Sequence, residues 1–206
     1  MAIATYSDLQ TSVASWLART DLTATIPDFI TLAEARINRE LRIRAMETTI
    51  SIATVANTAT VALPTRYVQM RVLTITDTPT YPLDYRTPED LLFKYGNAGT
   101  GKPKAFTLDG ETIRLGPTPD AIYTLAGIYY QGFAALSSGV NWLITNAPDV
   151  YLYATLLETM PFIANDTRIP VWQMMYANAI DKLQRADERD RHSGGALVMR
   201  SDVQMP

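Results

Sequence analysis

The sequence predicts an α+β protein in which helices from both ends of the chain form one bundle that carries a β-rich insertion. Apolar residues recur at helical spacing near both ends, whereas the middle shows alternating residues and most of the prolines and glycines. We therefore assign residues 1–47 and 134–195 to the helical bundle, 48–133 to the insertion and 196–206 to a C-terminal tail. Neither pair of helices can bury both of its faces alone, so the two ends have to share a core.

The first two helices are predicted from their caps and their apolar stripes. Thr5 or Ser7 is placed to cap the first helix, and Pro27 suits the first turn of the second. A polar break at residues 20–25 separates them. The first stripe is Leu9, Val13, Trp16 and Leu17, and the second is Ile26, Ile30, Ala33, Ile37 and Leu41.

The middle of the chain has the short period of strands and frequent turn residues. Strands are predicted at residues 49–55, 60–63, 68–76, 81–85, 105–108, 111–115 and 122–133. Asn57 lies in a turn, and Thr87 caps a short helix that ends near Gly96. Asp109 and Gly110 separate two of the strands and predict a tight hairpin.

The last two helices differ in the breadth of their apolar surface. Residues 146–149 open a segment that is apolar almost all round, which is typical of a helix in the middle of a bundle. Pro170 opens the final helix, which stops at Ser193-Gly194-Gly195. The apolar face of the final helix is Trp172, Met175, Tyr176, Ala179, Leu183 and Ala186.

Composition excludes several classes of site. The 206 residues include no cysteine and one histidine, which removes disulfides, thiolate metal sites and multi-histidine zinc sites. The best apolar run, residues 150–164, is interrupted by Glu158 and Pro161, so we expect no membrane span. Residues 1–8 lack the features of a signal peptide, and we expect synthesis in the reducing host cytoplasm.

One glycine-rich segment has the spacing of a phosphate-binding loop. Residues 96–102 end in Gly101-Lys102, but Pro103 stands where such a loop needs a hydroxyl to bind magnesium. The segment also follows a helix rather than a strand. We interpret it as a surface loop whose tip touches a neighbouring protein, or as a loop with no partner.

The candidate catalytic groups do not form a set. His192 has Asp190 nearby in sequence but no nucleophile. Glu158 stands alone on an apolar helix, and Asp166 or Asp181 would be its partner in a glycosidase. The favoured interpretation is a salt bridge within the bundle, to Arg36, Arg39 or Arg168. We therefore predict no catalytic, metal or cofactor site.

Contacts with nucleic acid are weakly indicated. Arg36, Arg39 and Arg42 lie along one side of the second helix, but the interleaved acids Glu34 and Glu40 favour solvated or intersubunit pairing. A net charge of −3 gives no general attraction for DNA. The tyrosines that offer stacking surfaces have no basic residues beside them in the strand: Tyr6, Tyr123, Tyr129 and Tyr130. A simple DNA-binding module is thus the least supported of the functional hypotheses.

The order of motifs resembles a known family. Tyr6-Ser7-Asp8-Leu9, then residues 20–22, 26–30 and 32–42, resemble the N-terminus of the head-to-tail adaptors of short-tailed bacteriophages. These are also called tail tubular protein A or tail accessory factors. Leu63-Pro64 before Tyr67 is similar too, as are residues 147–149 and 151–154, so the likeness spans nearly the whole chain.

The resemblance implies a structural virion protein, not an enzyme and without cofactors. Members of this family form a ring of twelve subunits. One side of the ring binds the portal protein, and the other side binds proteins of the tail, such as the nozzle, the tail tubular proteins or the fibres. Double-stranded DNA passes through the ring during ejection without sequence-specific binding. The location is then the head-tail junction of the virion. The alternative from another class is a peptidoglycan-degrading tail enzyme that uses Glu158 as its acid.

The resemblance also assigns three groups of contact residues. Residues of the tail would dock on the portal, although from the sequence alone this tail is either frayed or docked: Leu197, Val198, Met199, Arg200, Val203 and Met205. The tips at residues 77–81 and 96–104 would face tail proteins through Thr78, Thr80, Asn97, Thr100, Lys102 and Lys104. Charges between subunits would be Arg36, Arg39, Glu40, Arg42, Asp187 and Arg189.

Overall fold

A computed structural model of the chain describes residues 2–19, 21–96, 99–163 and 166–192. Its helices are α1 (Tyr6–Leu17), α2 (Ile26–Glu40), α3 (Pro88–Tyr95), α4 (Trp142–Asn146), α5 (Pro148–Glu158) and α6 (Ile169–His192). Its strands are β1 (Glu47–Ala53), β2 (Thr60–Ala62), β3 (Tyr67–Ile75), β4 (Tyr81–Pro82), β5 (Asp84–Tyr85), β6 (Ala105–Asp109), β7 (Thr112–Gly116) and β8 (Thr124–Gln131). The predicted α+β class is confirmed.

The chain divides into two compact units. The helical unit combines residues 1–33 with residues 143–206, and the sheet unit comprises residues 34–142. Helices from opposite ends of the sequence thus belong to one unit. The domain bounds drawn at residues 47 and 134 from the change of period stay a prediction.

The first helix follows its local signals. Thr5 caps α1 by accepting from the Asp8 N–H, while the Asp8 carboxylate accepts from the Thr5 N–H in return. Leu9, Val13 and Leu17 are buried as the stripe predicts. Trp16 departs from that stripe, because its side chain is 43% exposed and meets Tyr153 edge to face at 6.0 Å.

Helix α5 occupies the middle of the helical unit, where it contacts α1 and α6. Its buried residues are Val150, Tyr151, Leu152, Ala154, Thr155, Leu156 and Leu157, which confirms a helix covered on nearly every side. On α6, Trp172 and Tyr176 are buried, but Met175 is 40% exposed although it belongs to the predicted face. The apolar stripe of α6 is therefore covered only in part.

The described strands of the sheet unit form two four-stranded sheets. The first has the order β1-β8-β3-β4 and the second β2-β7-β6-β5. Their side chains form one core: Ile50, Leu73, Ile75, Leu83, Phe106, Ile113, Leu115, Leu125 and Tyr129. The predicted hairpin is confirmed, since β6 and β7 pair in antiparallel register across Gly110, which has a φ of +59°.

The prediction of a single strand at residues 81–85 is wrong. Tyr81–Pro82 pairs with β3, whereas Asp84–Tyr85 pairs in parallel with β6 in the other sheet. The chain crosses from one sheet to the other at Leu83, whose side chain is buried in the shared core. Its N–H donates to the Leu73 carbonyl at 2.8 Å. Alternation alone cannot reveal such a crossing, because both short strands keep the period of two.

The close pairing of β8 with its neighbour depends on a glycine. A Cβ built on Gly127 would overlap the Val72 carbonyl oxygen. We predict that Gly127→Ala lowers the free energy of unfolding by about 1–3 kcal/mol, as overpacking does, measured by urea denaturation. Gly99→Ala is the control, since a Cβ there has no neighbour within 4 Å. Equal stability of the two variants would contradict this packing.

Candidate functional site

Three loops meet at one end of the sheet unit, which we call the loop end: residues 76–80, 99–104 and 117–123. The Gly101 N–H donates to the Thr118 carbonyl at 2.8 Å, which joins the second loop to the third. Lys102 Nζ lies 2.6 Å from Asp77 Oδ2, which joins the second loop to the first. The two loop tips that the sequence analysis names separately therefore form one surface. The structure adds the third loop, residues 117–123, to that surface.

Lys102 is the centre of the loop end. Besides its ion pair with Asp77, its ammonium group lies 5.1 Å from the centroid of the Tyr81 ring and 5.9 Å from that of Tyr123. The hydrogen bond from Lys102 lowers the pKa of Asp77. The lysine thus holds neighbouring loops together, which leaves it poorly placed to reach a phosphate.

The tyrosine hydroxyls fix the same loops. Tyr81 donates to the Pro103 carbonyl at 2.8 Å, and burial raises the pKa of Tyr81. Tyr123 donates to Asp120 Oδ1 at 2.8 Å, and that hydrogen bond raises the pKa of Tyr123. Both hydroxyls therefore stay protonated at neutral pH and act as fixed donors.

The residues predicted to face tail proteins have different environments. Thr78, Thr80, Thr100 and Lys104 are exposed, whereas Lys102 is half-buried against the tyrosine rings. Asn97 lies outside the described residues. Four of the residues predicted to contact tail proteins are thus exposed at the loop end. Lys102 joins two of its loops through the ion pair with Asp77.

Helix α3 adds an apolar surface that the sequence analysis did not single out. Phe93 is 95% exposed and Leu92 is 64% exposed. On the other side of the helix, Tyr95 and Leu91 pack so closely on Gly116 that a Cβ there would lie 2.7 and 2.9 Å from them. Gly116 directly precedes the third loop, so α3 borders the loop end. Phe93 and Leu92 together therefore expose apolar surface beside the loop end.

Arg42, one of the charges predicted to lie between subunits, makes hydrogen bonds to the C-terminal end of α2 within its own chain. Arg42 Nη1 donates to the Leu41 carbonyl at 2.5 Å and to the Asn38 carbonyl at 2.9 Å. A cation at this position satisfies carbonyls that a helix leaves unpaired at its C-terminus. Arg42 therefore terminates the helix, whichever partner it meets in addition.

The remaining charges of α2 lie at different depths. Glu34 Oε1 accepts from the Leu136 N–H at 2.7 Å, and burial raises the pKa of Glu34. Arg36 is half-buried, while Arg39 and Glu40 are exposed. The exposed pair thus offers both signs of charge on the outer side of α2.

The charged half of α6 is linked along its own helix. Arg191 Nε lies 2.7 Å from Asp187 Oδ2, and Arg185 Nε lies 3.0 Å from Asp181 Oδ1. Arg189 donates from Nε to the Arg185 carbonyl at 3.2 Å. Exposed pairs one helical turn apart contribute only about 0.3–0.5 kcal/mol, so Asp181 and Arg185 can change partners, whereas the Asp187–Arg191 pair is largely buried.

The candidate carboxylates for catalysis have structural partners. Asp166 is bound by Arg168 at 2.7 Å, and the hydrogen bond from Arg168 lowers the pKa of Asp166. Arg168 also donates to the Trp16 carbonyl at 2.8 Å. Glu158 is half-buried on α5, and its predicted salt bridge stays a prediction. A lowered pKa suits a permanent anion better than a general acid.

Several sites fall outside the part of the chain that the structure describes. These are the residues predicted to bind the portal, together with the side chain of His192: Leu197, Val198, Met199, Arg200, Val203 and Met205. Within the described ranges, no group of three or more His, Cys, Asp or Glu residues is placed to hold a metal ion. Helices in those same ranges are too short or too polar to cross a bilayer.

Comparison with known protein families identifies a match that covers nearly the whole chain. A sequence model of the SU10 adaptor protein family matches residues 4–200 of the 206-residue chain. No curated protein matches the sequence.

The loop end predicts a specific pH response. Because the folded-state pKa of Asp77 is lowered, its pair with Lys102 stabilises the loops above about pH 4 and is lost as pH falls through the lowered pKa. We predict that Lys102→Met raises the Asp77 pKa towards the value of an ordinary aspartate, measured by carboxyl NMR titration. Lys104→Met, on the same loop but exposed, should leave it unchanged. An unaltered Asp77 pKa in Lys102→Met would contradict the pairing.

Proposed function

The chain belongs to the SU10 adaptor protein family, and from this premise we propose that it is the structural subunit that joins the portal to the short tail of a bacteriophage. The observation that carries the proposal is the family match over residues 4–200, nearly the whole chain. Its site is the head-tail junction of the virion. An adaptor works by binding other proteins, which makes this a structural, non-enzymatic role.

We further propose that twelve copies form a ring around the DNA channel. A ring is built from heterologous contacts, in which one face of a subunit meets a different face of the next. The exposed Arg39 and Glu40 on α2 and the exposed Arg189 on α6 supply both signs of charge for such contacts, whereas Asp187 is half-buried and paired with Arg191. The net charge of −3 suits a conduit from which DNA has to leave without adhering.

The two ends of the ring would bind different partners. The loop end is proposed to contact the tail nozzle or fibre proteins, and support comes from its exposed threonines and from Phe93 and Leu92 beside it. Residues 196–206 are proposed to dock on the portal, a role carried over from the family resemblance.

The enzymatic alternative has no observation in its favour. Asp166 and Asp181, which would complete a glycosidase site with Glu158, pair with Arg168 and Arg185. The direct test is muralytic activity of the wild type and of Glu158→Gln. Activity that disappears in a folded Glu158→Gln protein would establish the enzyme and remove the structural proposal.

Deletion of residues 196–206 should abolish binding to the purified portal, because those apolar residues are the proposed anchor. Binding would be measured by interferometry, and the rings would be viewed by electron microscopy of the full chain mixed with its portal. The melting temperature should be unchanged. Failure of the intact chain to bind the portal rejects the adaptor role, whereas full affinity of the deletion variant rejects only the tail as anchor.

Phe93→Ser should weaken binding to the tail proteins by about tenfold or more, as the loss of an aromatic contact does, without affecting portal binding. Since Phe93 is 95% exposed, we expect the free energy of unfolding to change by less than about 0.5 kcal/mol. Val140→Ser is the control, because Val140 is 62% exposed in the same unit but lies away from α3 in sequence. Equal tail-protein affinities of the two variants would remove α3 from the interface.

A further inference from the structure

The chain passes between its two units at two places. The first lies inside α2, which continues from Ala33 of the helical unit into Glu34 of the sheet unit. The second lies at the start of α4, between Trp142 and Leu143. A helix is a stiff connection, whereas the second place is reached through residues 132–141, which we call the return segment. The freedom of the second connection therefore depends on what holds the return segment.

The return segment has mostly irregular backbone. The structure describes every residue of it, and one turn of 3-10 helix, Leu136–Ser138, is its regular part. Buried backbone N–H groups outside helices and strands need acceptors from elsewhere in the protein. Leu136 is only 2% exposed, so its N–H is such a group.

Two side chains of α2 supply acceptors to the return segment. Asn38 Oδ1 accepts from the Phe133 N–H at 2.9 Å, and Glu34 Oε1 accepts from the Leu136 N–H at 2.7 Å. Because Glu34 and Asn38 are four residues apart, both lie on one face of α2. The approach is close, since a Cβ built on Gly132 would lie 3.3 Å from the Asn38 side chain. We call this pair of hydrogen bonds the latch.

The two ends of the return segment meet each other. Asn141 Nδ2 donates to the Ala134 carbonyl at 2.8 Å. The rings of Phe133 and Trp142 stack with 7° between their planes and 6.4 Å between their centroids. Phe133, which the latch holds by its N–H, therefore contacts the residue that directly precedes the second connection. Through these contacts α2 restrains both connections.

We propose that the latch is a conformational device that couples the two connections and thereby restricts the motion of the two units relative to each other. While the latch is closed, the return segment and the C-terminal half of α2 move as one body. When it opens, the return segment becomes a tether of irregular chain, and α2 is left as the stiff connection. This inference goes beyond the proposed adaptor function and does not depend on it.

The absence of cysteine from the sequence allows a direct test. Gln173→Cys on α6 and Val55→Cys in the sheet unit, both exposed, carry nitroxide labels on the full-length chain, which is diluted with unlabelled protein. Pulsed electron paramagnetic resonance gives the distribution of distances between the labels. Glu34→Leu together with Asn38→Leu removes both acceptors, and we expect the distribution to broaden by about twofold or more. Thr31→Val is the control, because it removes a different side-chain hydrogen bond of α2.

Conservative variants separate the hydrogen bonds from the packing. Glu34→Gln together with Asn38→Asp keeps an oxygen acceptor at each position and should keep the narrow distribution. The Phe133 and Leu136 amides should exchange hydrogen about tenfold or more faster in the leucine pair, and close to the wild-type rate in the conservative pair. Unchanged exchange across α5 and β8 shows that both units remain folded. Should the leucine pair not fold, Asn38→Ala is measured in the same way.

Each result supports or overturns the latch. A broader distribution with faster exchange of the two amides, both restored in the conservative pair, supports it. Faster exchange with an unchanged distribution overturns the coupling of the two connections, and unchanged exchange overturns the latch itself. Broadening in Thr31→Val or in the conservative pair also overturns it, because the two acceptors are then not the cause. Rejection of the adaptor role would leave each of these results as it stands.

Discussion

The enclosure of α5 is the constraint on which the helical unit depends. A helix that is apolar almost all round is stable in water only when other helices cover it, and α1 and α6 do so from opposite ends of the sequence. Residues 34–142 lie in the chain between the two segments that form this helical unit. The sheet unit can then vary its loops without affecting that closure, as befits a segment that presents contacts to partners.

Within the sheet unit, Lys102 and Arg42 make contacts that fix loops and a helix end. Lys102 joins two loops through Asp77 and lies over two tyrosine rings, and Arg42 terminates α2. In the helical unit, Asp166 is likewise paired with Arg168. Each charge is satisfied by a neighbour, which is the state that a protein needs when its surfaces bind other proteins. Beside these paired charges, the apolar side chain of Phe93 on α3 stays exposed.

The loop end and α3 are both contributed by residues 76–123 of one unit. The loops of the loop end are held together by the Gly101–Thr118 backbone hydrogen bond and the Lys102–Asp77 ion pair. Family membership names the role, and the local geometry indicates which surfaces could perform it.

The sequence by itself determined the class, the helix starts and the hairpin. Thr5, Thr87 and Asp109-Gly110 act through neighbours a few residues away, so local chemistry suffices to read them. Tertiary structure alone decided that residues 81–85 divide between two sheets and that loops 25 residues apart meet through Asp77 and Lys102. Those outcomes depend on which strands become neighbours, and a period of two along one strand contains no information about its partner.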